Sequence, residues 1–99
     1  MPREQERFPF LTEIVLEWAS GKREARISDL SMGGCYIDTI AGVSEGEKVS
    51  LEIRGANGSS MPFEGTVAYV LDGFGFGVRF NELSEGQKAF LQIAIGSSL

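Results

Sequence analysis

Two places in this chain hold residue types suited to chemistry: Arg3 and Arg7 near the amino terminus, and residues 27–37, ISDLSMGGCYI. A guanidinium presents a rigid fork of donors that matches the oxygens of an anion. Asp29 is an acceptor when ionised, and Ser31 both donates and accepts. Gly33 and Gly34, lacking a Cβ, let the backbone turn sharply or let another group come close. Together these suit the capture of a small polar ligand better than the making of bonds. The chain has no histidine, no clustered metal-ligand set and no acid–base pair that can be placed in one site, so an enzyme is not expected. Each residue also has a plain alternative. The arginines could be a solvated terminus paired with Glu4 or Glu6. Asp29 and Ser31 could close a turn, and the glycine pair could mark a bulge.

Charge narrows the class of ligand. A net charge of −5 and a pI near 4.6 repel DNA, RNA polymers and anionic membrane surfaces. A small anion is not excluded, because screening confines distant charge to about 10 Å at ordinary salt. No basic, aromatic-lined groove suited to single-stranded nucleic acid is evident. The single cysteine, Cys35, cannot form an internal disulfide, and no charged-then-apolar leader precedes Arg3, so a cytoplasmic location is expected. No apolar run is long enough to span a bilayer, so direct membrane insertion is not expected either.

The elements that must position these residues read as strands. Ninety-nine residues, 42% of them apolar, with 13 glycines against 3 prolines, indicate one folded, turn-rich domain. Residues 12–18 alternate Ile14, Leu16 and Trp18 on one face, and Ser20-Gly21 signals a turn. Residues 23–30 and 34–39 read as the next two strands. In residues 47–54, Val49, Leu51 and Ile53 point one way. Asn57-Gly58 signals a tight turn into residues 61–71, where Phe63, Val67, Tyr69 and Leu71 alternate. Asp72-Gly73 then turns the chain into residues 76–80, with 73–77 read as a hairpin carrying packed aromatics. Ser84-Glu85-Gly86-Gln87 has the form of a capping box, so a helix is expected over about 84–95. Leu83, Phe90, Leu91, Ala94 and Ile95 form its buried face and Gly96 its end. Six strands and one helix suggest a small barrel or sandwich plugged by that helix.

Hairpin arithmetic brings the two halves together. With Ser20 and Gly21 as the turn, Asp29 falls opposite Thr12 and Ser31 opposite Phe10, to within two positions. Residues 1–9 then form a flexible arm carrying both arginines, delivered to residues 29–34, with the barrel occupying residues 10–99.

R-x-x-x-R followed by D-x-S-x-x-G across one hairpin resembles the two-part signature of the PilZ domain, the bacterial receptor module for cyclic di-GMP. The resemblance extends through Phe8-Pro9, Gly77-Val78-Arg79-Phe80 and Leu83-Ser84, and so covers essentially the whole chain. It implies an all-β, six-stranded antiparallel barrel with a C-terminal helix. It further implies that Arg3, Arg7, Asp29, Ser31 and Gly34 bind cyclic di-GMP, with Gly33 in support, and that no cofactor is needed. The residue types suit that ligand. Arginine engages guanine O6 and N7 bidentately, or a phosphodiester. A carboxylate accepts from guanine N1–H and its amino group, where adenine offers no matching pair. The expected function is a receptor whose arm orders on binding and regulates an effector protein in motility or biofilm control. The alternative is a PilZ-like adaptor that binds a protein and no nucleotide.

Overall fold

The structure, a computed structural model, describes residues 8–40, 42–55 and 58–97. Period-two patterning produces the strands β1 (Phe8–Trp18), β2 (Gly21–Leu30), β3 (Gly34–Asp38), β4 (Lys48–Arg54), β5 (Ser60–Leu71) and β6 (Gly75–Phe80), followed by the helix α1 (Glu85–Ser97). All pairs are antiparallel, in the order β1-β2-β3-β6-β5-β4, and β4 pairs back to β1, so the sheet closes into a barrel. The barrel arrangement, not the sandwich, is therefore the one adopted, and closure removes the open edges that would template aggregation.

The interior is filled by the inward-facing set. Ile14, Leu16, Ile27, Leu30, Cys35, Ile37, Val49, Leu51, Ile53, Phe63, Val67, Phe76, Val78 and Phe80 are buried, joined by Leu91 and Ala94 from α1. Each large aliphatic or aromatic member contributes about 1.5–3 kcal/mol relative to the exposed side chain. Phe63 sits at the centre of an aromatic group, 5.0 Å from Phe80 and 6.0 Å from Phe90 between ring centroids. Phe90 links α1 to this group, and Leu83 and Ile95 pack beside it, so the expected helix face is the one buried.

The capping box forms as its residue types require. The Ser84 hydroxyl accepts from the Gln87 backbone N–H at 3.1 Å, and the Gln87 side chain accepts from the Ser84 N–H at 2.8 Å. The Gln87 amide also donates to the Pro62 carbonyl at 2.8 Å, which fastens the helix start to β5. Gly96 does not end the helix. It has no positive φ, and α1 runs to Ser97.

Three further expectations are corrected. Trp18 pairs with Gly21, so Ala19-Ser20 is the turn; the register moves by two positions along the hairpin and, past the shift between Pro9 and Thr12, by three at Asp29, which meets Pro9 and not Thr12. β1 begins at Phe8, and Phe8 and Pro9 pair with Leu30 and Asp29, so both belong to the barrel and not to the arm. Phe74 is 73% exposed at the tip of the β5–β6 hairpin, where Gly73 at φ 84° supplies the positive torsion that the turn needs; only Phe76 of that pair is packed.

Candidate ligand-binding site

The segment 29–34 lies at the end of the barrel where β2 finishes, β3 starts and β1 enters. α1 lies at the same end, against the start of β5. Asp29 is opposite Pro9 on one side and Tyr36 on the other, and Leu30 is opposite Phe8. The corrected register thus brings the amino end of β1 closer to the acid than the sequence arithmetic did. Arg3 and Arg7 lie outside the described residues; Arg7 is the residue bonded to Phe8.

Residues 31–34 form a tight, internally bonded connection. The buried Ser31 hydroxyl accepts from the backbone N–H groups of Gly33 and Gly34, each at 3.2 Å, and reaches the Gly34 carbonyl at 3.3 Å. The Ser31 N–H donates to the same carbonyl at 2.9 Å, and Phe80 N–H donates to the Gly33 carbonyl at 2.8 Å. The hydroxyl is occupied in shaping the loop, satisfying donors that would otherwise be orphaned. Gly34 has no positive φ; a Cβ there would fall on the Val78 carbonyl oxygen, so this glycine admits the close approach of β6.

Asp29 is presented differently. A register shift between Ile27 and Asp29 inserts Ser28 as a bulge, so that Ile27 and Leu30 both stay inside while Asp29 shares the outer face with Tyr36. A second shift, between Val67 and Tyr69, places Ala68 as the extra residue of β5. Strict alternation put Tyr69 and Leu71 with Phe63 and Val67 on the core face; the bulge instead leaves them 36% and 49% exposed and turns Val70 inward. Gly77 is the register partner of both Tyr36 and Tyr69. One continuous register row, Pro9–Asp29–Tyr36–Gly77–Tyr69, therefore crosses five strands.

The tyrosines were not singled out by the sequence. Tyr36 was accessible to it, as the outward residue between buried Cys35 and Ile37; Tyr69 was not, because nothing local announces the Ala68 bulge. Their ring centroids are 6.3 Å apart at an interplanar angle of 28°. Burial, then the charges of Asp38, Tyr69 and Asp29 when ionised, raises the Tyr36 pKa above its ordinary value, which favours the neutral phenol, a hydrogen-bond donor.

Comparison with known proteins agrees with this architecture. The PilZ domain family model matches residues 2–95. The inhibitor of motility MotI/DgrA of Bacillus subtilis superposes with a TM-score of 0.78 at 20% identity, over 98% of this chain and 51% of that one. The PilZ domain of Escherichia coli YcgR with c-di-GMP gives 0.77 at 21% identity, covering 99% and 92% of the two chains. Borreliella burgdorferi PlzA in complex with c-di-GMP gives 0.72 at 16%, covering 95% and 41%. The chain thus spans about half the length of MotI and less than half of PlzA. No curated protein matches it in sequence. The family model spans nearly the whole chain, and the closed six-stranded barrel with its terminal helix has the matching form: this chain belongs to the PilZ domain family.

Proposed function

We propose that this chain is a receptor for cyclic di-GMP, held between Arg3 and Arg7 on one side and the Asp29–Gly34 segment on the other. The observation that carries the reading is the pairing of Phe8 with Leu30 and Pro9 with Asp29, which starts the strand that follows Arg7 beside the acid. In support, the PilZ domain of YcgR and PlzA, which share this fold, are described with c-di-GMP bound. The arginines supply forks for guanine O6 and N7 and for the two phosphodiester charges, each good bidentate pair being worth about 1–3 kcal/mol. Asp29 accepts from the guanine donor edge and selects against adenine. Ser31, Gly33 and Gly34 act by holding the loop in shape, which fits the hydroxyl's internal bonds.

In this reading the ligand switches the arm. Fixing one residue's backbone costs about 1–2 kcal/mol, so ordering five arm residues costs on the order of 5–10 kcal/mol, and only a ligand bridging arm and barrel offsets that. The ordered arm then offers a new surface to an effector protein. The reading places the receptor in the cytoplasm, where a free cysteine such as Cys35 stays reduced; among the described residues no helix is long and apolar enough to cross a membrane.

A second reading, a protein-binding adaptor without nucleotide, draws on Ser31 and Gly34, whose roles the loop and the β6 contact already explain. Calorimetric titration with cyclic di-GMP separates the two. The receptor binds; Arg7→Ala weakens binding and lowers its salt slope by about one. Asp29→Ala chiefly erodes the preference over cyclic di-AMP. Absence of binding to the parent chain supports the adaptor, and unchanged affinity in both variants removes the ligand from this site.

A further inference from the structure

The outer row next to Asp29 is built in a way that barrel folding alone does not require. The β1, β2 and β5 strands each carry a register shift at or beside this row, and such bulges turn a side chain to face a different direction. The β2 bulge sets Asp29 on the outer face, and the β5 bulge takes Tyr69 out of the core and lays it across Gly77. A Cβ at Gly77 would collide with the Tyr69 ring, and one at Gly75 would fall first on the Ile37 carbonyl oxygen of β3 and also come within 3.0 Å of the Tyr36 hydroxyl oxygen. The Tyr69 ring therefore rests low over the Gly77 backbone, the Tyr36 hydroxyl reaches Gly75, and the two ring planes incline to one another by 28° with centroids 6.3 Å apart. Gly75 and Gly77 are both buried, Gly77 under the Tyr69 ring, while Tyr69 keeps 36% of its surface open.

We propose that Tyr36 and Tyr69, the two register partners of Gly77, form a floor on which one purine of the bound dinucleotide stacks while Asp29 takes that base's donor edge. The inference rests on the receptor reading above and adds to it a binding surface outside both sequence motifs. Two aromatic rings inclined by 28° beside a carboxylate match a flat base whose edge carries N–H donors, since every base has a face to stack and only some have that edge. Stacking and edge recognition then come from neighbouring positions of one row, Asp29 and Tyr36 being direct cross-strand partners. The Tyr36 phenol, protonated at neutral pH, adds a donor toward a ligand acceptor.

The test is calorimetric titration of the full chain with cyclic di-GMP and cyclic di-AMP, on the parent and on Tyr69→Leu, Tyr36→Leu and Tyr69→Phe. Each leucine variant is expected to weaken both ligands about tenfold or more, and Tyr69→Phe to bind nearly as the parent does, because the ring is what stacks. The salt slope should be unchanged, since no phosphate contact is removed. In the parent complex the guanine H8 proton should shift upfield by ring current. If the parent binds and responds to Asp29→Ala while both leucine variants bind within about twofold and H8 does not move, the floor is overturned and the receptor stands. If the parent binds neither ligand, the receptor reading itself fails.

Discussion

Ser31 and Gly34 carry the tightest structural demands in the candidate site. Ser31→Ala leaves the N–H groups of Gly33 and Gly34 without their acceptor in a buried place, and should cost about 1–3 kcal/mol in denaturant unfolding. Gly34→Ala drives a methyl into the Val78 carbonyl and should cost about 3 kcal/mol or more, because the obstacle is backbone that cannot rotate away. A stability change below about 0.5 kcal/mol for either would show that the loop has another support. Tyr36 gives a pH test of the same region. Its folded pKa lies above the unfolded one near 10, so the unfolded chain loses that proton first and stability falls as pH rises past about 10. Tyr36→Phe should flatten that alkaline loss in thermal unfolding; an unaltered profile would assign the loss elsewhere. The acid, hydroxyl and glycines were legible as a group from type and spacing. Their division of labour was not, since the bonds that occupy Ser31 depend on where β6 comes to rest.

Among the elements, the strands β3, β4 and β6 and the helix start were readable because local signals agree with the tertiary outcome: alternation for Val49, Leu51 and Ile53, and reciprocal capping for Ser84 and Gln87. The misplaced features are those decided at a distance. The β1–β2 turn shifted to Ala19-Ser20, where Trp18 packs against the position of Gly21, and the bulge at Ala68 reversed the outer half of β5. The helix is held mainly by packing at one end of the barrel. Leu91→Ala empties a fully buried site and should cost about 2–5 kcal/mol, whereas Ser84→Ala removes a cap worth about 1 kcal/mol. Thermal or denaturant unfolding measures both, and a cap variant costing more than the Leu91 variant would contradict this ranking.

At the scale of the molecule, the barrel works as a rigid frame with its proposed ligand face at one end. The loop 31–33, the entry of β1 and the helix gather there, while the β5–β6 hairpin with exposed Phe74 occupies the other end. Closure fixes that separation, so a ligand at the first end leaves the hairpin tip around Phe74 untouched unless the whole barrel changes. The proposed contacts of Arg3 and Arg7 with the phosphodiesters are screened by salt, so binding should weaken as salt rises. The most direct measurement is amide hydrogen exchange of the full chain with and without saturating cyclic di-GMP. New protection is expected in residues 1–9 and 29–36, and none at the hairpin tip, residues 72–74. Equal exchange at both terminal arm and residues 29–36 in the two states, or protection confined to the hairpin end, would contradict it.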